Sequence, residues 1–214
     1  MNWDGFVLIY DKTILENIAR LILAKYCNYP IENLVCLDKP DLQDSINSYG
    51  IEVVEDCYSS EKEAERFLTS VWNMKYSEID SKKIGRLLKI GGKLEEKGDK
   101  IFSASLGKGT PNNPAHLIKT IEKKIIKLNN GGYKIFNNYG LYVFVNTVIL
   151  QKSYVESIIN EISKNQSELK YSKLYLDMHF QLWICDMNKK TYICKSIDRN
   201  FRNKVVSSIT QNSY

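Results

Sequence analysis

The spacing of apolar and polar residues along the chain predicts an alternation of helices and strands. Apolar residues three or four positions apart predict helices over residues 13–27, 59–73, 80–89, 115–128 and 153–164. Short apolar or alternating runs predict strands over residues 33–38, 42–46, 51–57, 141–146, 174–178, 180–185 and 191–195, with a further hairpin at 93–106. Residues 5–10 fit a strand or the lead into the first helix, and the polar residues 196–214 are expected to be partly unstructured.

The order of these elements predicts an α/β fold with a mixed central β-sheet and helices on both of its faces. Residues 141–146 form a nearly continuous apolar run, which is typical of a strand covered on both faces. A chain of 214 residues is long enough to bury its own core, so we expect a single domain spanning residues 1–214. Glycines punctuate a basic insertion within it, at about residues 74–114.

Composition narrows the class of protein. No apolar run reaches the roughly 18 residues that a membrane span needs, and the first residues lack the basic stretch of a signal peptide, so we expect a cytoplasmic protein. Five cysteines without a CxxC pair argue against a disulfide framework and against a zinc site, and we expect reduced, buried thiols. The two histidines lie far apart in the sequence, which excludes chemistry built on several histidines.

Basic residues are concentrated in the middle of the chain. The net charge is +5, but residues 82–108 contain eight basic residues against three acidic ones, and residues 119–134 contain five against one. Such a local positive field attracts phosphate backbones, although a solvated basic surface explains the same pattern equally well. The candidate nucleic-acid-binding residues are Lys82, Lys83, Arg86, Lys89, Lys93, Lys108, Lys124 and Lys127.

Two carboxylates are the strongest candidates for chemistry. Asp41 follows Pro40, and Glu52 lies eleven residues later on the next predicted strand. Cleavage of a phosphodiester uses carboxylates that converge on Mg²⁺, which lowers the pKa of its water and stabilises charge on the phosphate. Glu52 lies between apolar neighbours, where a carboxylate needs a partner or access to water. An ordinary turn explains Pro40-Asp41 as well, and Asp56 is assigned to the solvated end of the strand.

The segments Pro40-Asp41 and Gly50-Ile51-Glu52-Val53-Val54 resemble the motif of the PD-(D/E)XK nuclease superfamily. The predicted helix before them and the predicted helix and strand after them extend the resemblance over roughly residues 13–146. It implies a restriction-endonuclease-like core in which Asp41 and Glu52 bind Mg²⁺ or Mn²⁺.

The resemblance also implies a carboxylate on the first helix and a lysine two positions after the glutamate. Glu16 matches the helix carboxylate, although Thr13 and Glu16 also fit a helix capping box. The lysine position is occupied by Val54, which supplies neither charge nor a hydrogen bond. Lysines from a neighbouring helix take this role elsewhere in the superfamily, and Lys119 and Lys123 are the candidates here.

The predicted hairpin places a geometric condition on this site. If its turn lies at residues 47–49, Glu52 faces Ser45, and Asp41 is four residues away along the strand. Four residues span about 13 Å, so a bend or bulge would have to bring the two carboxylates together.

Three functions remain open at this point. The first is a Mg²⁺-dependent nuclease acting on DNA or, less readily, RNA. The second is a catalytically inactive nuclease fold that binds DNA. The third is a protein-interaction or inhibitory module of a bacterial toxin or phage-defence system, suggested by the 14 tyrosines, a residue type enriched at interfaces. A protein partner and a homodimer are both left open.

Overall fold

The computed structural model describes residues 12–71, 74–89, 92–97, 100–106 and 113–211. The segment 5–10, Lys108 and the side chain of Lys93 lie outside the described part. Two compact units are present, a smaller one within residues 57–110 and a larger one within residues 10–56 and 111–214. The prediction of a single domain stays a prediction. No helix of the described residues is long and apolar enough to cross a membrane.

Six α-helices, nine strands and a short 3₁₀-helix at Tyr76–Glu78 follow one another along the described residues. In chain order the α-helices and strands are α1 (Lys12–Cys27), β1 (Val35–Cys36), β2 (Leu42–Asp44), β3 (Tyr49–Asp56), α2 (Ser59–Val71), α3 (Ser81–Lys89), β4 (Gly92–Lys97), β5 (Lys100–Leu106), α4 (Ala115–Asn129), β6 (Asn138–Val145), α5 (Lys152–Ser163), β7 (Tyr171–Asp177), β8 (Gln181–Asp186), β9 (Thr191–Ser196) and α6 (Arg199–Gln211). The 3₁₀-helix lies between α2 and α3. Every predicted element within the described residues is present, with ends shifted by a few residues.

The larger unit is built on a mixed sheet of seven strands in the order β1-β2-β3-β6-β7-β8-β9. Strands β3, β6 and β7 run parallel to one another, and the remaining neighbours are antiparallel. The parallel connection from β3 to β6 contains α4, and the one from β6 to β7 contains α5. This confirms the predicted α/β class and the mixed sheet.

Side chains of β6 alternate between two hydrophobic cores, one on each face of the sheet. Leu141, Val143 and Val145 pack with residues of α4 and α5, whereas Tyr142 and Phe144 pack with residues of α1 and α6. Successive side chains of a strand point to opposite faces, so a strand covered on both sides must be apolar throughout. The prediction of helices on both faces is therefore confirmed for the larger unit.

Helix α4 carries its apolar residues in one stripe. Leu117, Ile121, Ile125 and Leu128 recur every three or four positions and are all buried. After the helix ends, Gly131 and Gly132 both adopt positive φ, at 82° and 84°, a conformation that glycine tolerates without strain. The chain therefore reverses direction here before entering β6.

The C-terminal segment is a helix, so the prediction that residues 196–214 are partly unstructured was wrong for α6. Phe201, Val205 and Ile209, four residues apart, pack onto the core beside α1. The backbone N–H of Phe201 donates to Asp198 Oδ1 at 2.7 Å, which caps the start of the helix.

A buried ion pair also ties α6 to the sheet. Arg202 Nη1 donates to both carboxylate oxygens of Asp177, at 2.9 and 2.7 Å, and Tyr142 donates to the same carboxylate at 2.5 Å. Asp177 is 1% exposed and Arg202 6%. A charge buried to this degree needs such a partner.

The smaller unit contains α2, α3 and the antiparallel hairpin β4–β5. Its described core consists of Ala64, Val71, Ile79, Ile84 and Leu87. The helix predicted at 80–89 and the hairpin predicted at 93–106 are confirmed, and they lie in the stretch predicted as a basic insertion.

The five cysteines are free thiols. Cys185 is buried, whereas Cys194 is exposed on β9, so the prediction of buried thiols was wrong for Cys194.

Candidate functional site

The register of the β2–β3 hairpin brings Asp41 next to Glu52. Leu42 pairs with Ile51, so the residue before Leu42 falls opposite the residue after Ile51. The backbone N–H of Val53 donates to Asp41 Oδ2 at 2.7 Å, which fixes this carboxylate against β3.

The predicted separation of about 13 Å was wrong because β3 begins earlier than expected. It starts at Tyr49 rather than Ile51, and residues 45–48 form the turn. Asp44, and not Ser45, is the last residue of β2, and it pairs with Tyr49. No bulge is needed to bring Asp41 to β3.

Gly50 allows the approach of Pro40. A Cβ atom at position 50 would lie 2.5 Å from Cγ of Pro40 and 2.9 Å from the ring of Phe136, closer than real Cβ atoms come to their neighbours. A side chain here would push Pro40, and Asp41 with it, away from β3. The glycine of the Gly50-Ile51-Glu52 segment is thus part of what positions the site.

Glu52 is buried, and only one of its two carboxylate oxygens has a hydrogen-bond partner of normal geometry. The residue is 2% exposed, and its Oε1 lies 2.6 Å from Lys124 Nζ and 3.2 Å from Lys127 Nζ. Its Oε2 is buried and has no hydrogen-bond partner among the residues described. Burial alone would raise the pKa of Glu52, but Lys124 and then Lys127 lower it further than burial raises it. The carboxylate is therefore ionised at neutral pH.

Helical spacing explains which lysines reach Glu52. Lys124 comes three residues after Ile121 and four before Leu128, so it lies on the buried stripe of α4. The predicted candidates Lys119 and Lys123 lie on exposed positions of the helix, and no ion pair of the described residues involves either of them. The structure thus brings Lys124 and Lys127 to the carboxylate in their place.

Asp41 is held by α1. Lys12 Nζ lies 2.7 Å from Asp41 Oδ1 and 3.4 Å from Glu16 Oε1. Burial first and Asp41 second raise the pKa of Glu16. Thr13 lies inside α1 and is therefore not the N-cap of this helix, so Glu16 does not belong to a capping box. Glu16 forms an ion pair with Lys12 instead. The three predicted acids are therefore close together, with Lys12 between two of them.

Tyr133 is a member of the site that the sequence analysis missed. Its hydroxyl is close enough to Glu52 to lower the pKa of that carboxylate. The hydroxyl oxygen of Tyr133 is buried, although it makes no hydrogen bond of normal geometry to any described residue. Burial first and Glu52 second raise the pKa of Tyr133, so the phenol keeps its proton.

A second polar cluster lies at the end of β3. Asp56 Oδ1 is 2.7 Å from His116 Nδ1 and accepts a hydrogen bond from Thr120 at 2.9 Å, while Oδ2 accepts one from the hydroxyl of Thr147. The Asp56 side chain is fully buried, so its assignment to a solvated strand end was wrong. Asp56 lies four residues after Glu52, which puts both on the face of β3 that α4 covers.

The donor set is compatible with a hydrated cation but not with a cage of protein ligands. Within the described ranges, no group of three or more histidine, cysteine, aspartate or glutamate residues is arranged to hold a metal. Mg²⁺ usually keeps several waters and uses one or two carboxylates. The open Oε2 of Glu52 fits this role. Both oxygens of Asp41 are engaged, and Asp41 would need Lys12, whose side chain is 63% exposed, to move aside.

The remaining predicted nucleic-acid contacts lie in the smaller unit. Lys82, Lys83, Arg86 and Lys89 are exposed along α3. Their role in binding nucleic acid stays a prediction.

No family model, no curated protein and no solved structure matches this chain. The resemblance to the PD-(D/E)XK superfamily therefore rests on the residues of the chain itself.

Proposed function

We propose that the protein is a Mg²⁺- or Mn²⁺-dependent nuclease that hydrolyses phosphodiester bonds of DNA. The observation that carries the proposal is the buried, ionised Glu52, with one oxygen held by two lysines and the other open, beside Asp41. A buried carboxylate with a perturbed pKa, an open oxygen and a specific charged partner is a candidate functional residue.

The arrangement supports a restriction-endonuclease-like core. The acids stand on neighbouring antiparallel strands, with Glu16 on the preceding helix, as the PD-(D/E)XK motif requires. The lysine missing at Val54 has a substitute, since Lys124 projects from α4 onto Glu52 at 2.6 Å. Lys124 therefore offers the positive charge that Val54 does not supply, which supports the proposed activity.

Each residue has a defined part in the proposed reaction. Asp41 and Glu52 would hold the cation, which, when bound, lowers the pKa of its water and stabilises charge on the phosphate. Lys124 keeps Glu52 ionised and supplies a fixed positive charge near the scissile group. Lys127 is half exposed, so its ammonium is within reach of a phosphate arriving from solvent.

Cleavage of plasmid DNA by the full chain with Mg²⁺ or Mn²⁺, compared with EDTA, tests the proposal. Glu52→Gln keeps the size of the side chain and removes its charge, and it should lower cutting by about 10²–10³-fold. Glu55→Gln is the matched control, because Glu55 lies on the same strand and accepts an exposed hydrogen bond from Asn146 at 2.9 Å. Cutting at the wild-type rate by Glu52→Gln contradicts the site, and a wild-type chain that never cuts contradicts the activity.

A nuclease fold without activity is the second candidate. It is favoured by Asp41, whose oxygens are engaged by Lys12 and by the backbone of Val53, so that a lysine sits where a cation would be needed. Such a protein should bind DNA with affinity that falls steeply with salt and should never cut it. A rise in melting temperature on adding Mn²⁺ would argue against this candidate.

A further inference from the structure

The first residue of α1 links two acids of the candidate site. Lys12 Nζ lies 2.7 Å from Asp41 Oδ1, on the loop before β2, and 3.4 Å from Glu16 Oε1, one turn along the same helix. Both carboxylates are mostly buried, whereas the side chain of Lys12 is largely exposed. A single ammonium at the surface therefore serves two interior acids.

This one ammonium does not fully compensate the acids around it. Among the ion pairs of the described residues, none joins Asp41 or Glu16 to a second lysine or arginine. Burial first and Asp41 second keep the pKa of Glu16 above its ordinary value, although Lys12 lowers it. Two ionised carboxylates beside one ammonium carry an excess negative charge. A divalent cation at the same point supplies one more positive charge than the ammonium does.

The ammonium and a cation would depend on the same oxygen of Asp41. Its Oδ2 accepts from the backbone N–H of Val53, which leaves Oδ1, and Lys12 is bound there. Mg²⁺ binds carboxylate oxygens at about 2.1 Å, so an ion and the ammonium on this one oxygen would repel each other. Lysine carries its charge on a flexible stem. Because the side chain is largely exposed, Lys12 can turn into solvent without disturbing the core.

We propose that Lys12 is an internal competitor of the cation. Its ammonium holds Asp41 and Glu16 together while the metal is absent, and it withdraws into solvent when Mg²⁺ or Mn²⁺ binds Asp41. The inference rests on the proposed function and adds a means of regulation to the same site. Since the apparent affinity of a site falls with the fraction of molecules in which it is open, Lys12 sets the metal concentration that the protein requires.

Three variants separate competition from a general effect of charge. Lys12→Met removes the ammonium but keeps an unbranched side chain. Lys12→Arg keeps a positive charge that pairs well with carboxylates. Lys134→Met is the matched control, because its backbone N–H donates to the carbonyl of Lys39 at 2.9 Å, beside the same loop. The Nζ of Lys134 lies 3.1 Å from Ser45 Oγ and forms no ion pair with an acid of the described part.

Titration of the full chain with Mn²⁺ tests the proposal through two readouts that do not depend on cleavage. The electron paramagnetic resonance signal of free Mn²⁺ gives the Kd of the ion, and thermal unfolding gives the melting temperature. For Lys12→Met we expect a Kd lowered about tenfold, as for a competitor that leaves the site open in about one molecule in ten. Its melting temperature without cation should fall, because Asp41 Oδ1 loses its partner, and should rise more with Mn²⁺ than that of the wild type.

The other two variants should not gain affinity. Lys12→Arg should bind Mn²⁺ no more tightly than the wild type, and Lys134→Met should match the wild type. Unchanged or weaker binding of Mn²⁺ by Lys12→Met would overturn the inference, because the lysine would then not compete with the ion. An equal gain in Lys12→Met and Lys134→Met would overturn it as well, since the effect would come from the charge of the region alone.

Failure of the inference and failure of the proposed function give different results. A wild type that cuts DNA, with a Lys12→Met variant that binds Mn²⁺ no more tightly, contradicts the inference and leaves the function standing. A wild type that does not bind Mn²⁺, with a Lys12→Met variant that does, supports the competition and contradicts the activity. If neither protein binds Mn²⁺, both proposals are overturned.

Discussion

Two carboxylates on the same strand have opposite surroundings. Glu52 and Asp56 are both buried on the face of β3 that α4 covers. Asp56 has both oxygens hydrogen-bonded, to a histidine and two threonines. Glu52 has two lysines on one oxygen and none on the other. A fully satisfied buried group stabilises a fold, whereas an open one is available to a ligand. The comparison therefore favours a structural role for Asp56 and supports the function that we propose for Glu52.

The largest effect should come from Glu52→Gln. Losing the charged ligand should lower DNA cleavage by about 10²–10³-fold, equivalent to roughly 3–4 kcal/mol of transition-state stabilisation. Asp56→Asn should leave kcat per folded molecule within a fewfold of wild type. Measuring kcat of Glu52→Gln and Asp56→Asn on the same DNA duplex tests this difference. An equal loss of kcat in both variants would contradict a separate functional role for Glu52.

The second effect concerns Lys124, which we propose as the substitute for the lysine missing at position 54. Lys124→Met should lower cleavage by about 30-fold, roughly 2 kcal/mol, because it removes the positive charge that sits 2.6 Å from Glu52. Lys123→Met, one residue away on the exposed side, is the control and should stay near wild type. If Lys124→Met and Lys123→Met cleaved DNA at the same rate, Lys124 would not be the residue that takes the role of the missing lysine.

The third effect is on stability and belongs to Asp56. Asp56→Asn should lower the free energy of unfolding by about 2 kcal/mol, because an amide cannot accept every hydrogen bond that the carboxylate accepts. Urea unfolding measures it, with Asp80→Asn on the exposed start of α3 as a control expected within about 0.5 kcal/mol of wild type. A stable Asp56→Asn protein would mean that its hydrogen bonds contribute little.

The smallest effect is a pH dependence. The folded pKa of Glu52 lies below its ordinary value of 4.5, because Lys124 and Lys127 outweigh the effect of burial. Its stabilising contribution is therefore fully present above that value and is lost as the pH falls through the lower, folded pKa. The difference in unfolding free energy between wild type and Glu52→Gln should narrow between neutral and acidic pH. A constant difference would contradict the assigned ion pairs.

Local pattern was enough to predict most elements. Apolar periodicity identified α1, α4 and β6, and the motif selected Asp41 and Glu52. The predicted register was wrong because the turn was placed at residues 47–49, although Tyr49 already begins β3. The spacing of Lys124 to Ile121 and Leu128 contained the information that would have selected the lysine that contacts Glu52.

Other parts of the site depend on long-range contacts that no local pattern encodes. Tyr133 reaches Glu52 only because two glycines reverse the chain and Lys134 bonds to Lys39. Asp56 is buried because His116 and Thr120 cover it from a helix some sixty residues later in the chain. Helix α6 was overlooked because its apolar residues are few and its surroundings polar, so that only its docking on the core reveals it.

The buried pairing of Arg202 with Asp177 gives the last helix a consequence for anyone who shortens the protein. The composition of the C-terminal segment is that of a polar tail that could be removed without affecting the fold. Ending the chain before residue 202 would strand a negative charge in the interior, a loss of the kind that costs about 3–5 kcal/mol. Recombinant versions and fusions should therefore retain residues through 211, since a trimmed chain that fails to fold would say nothing about the chemistry that we propose for Glu52.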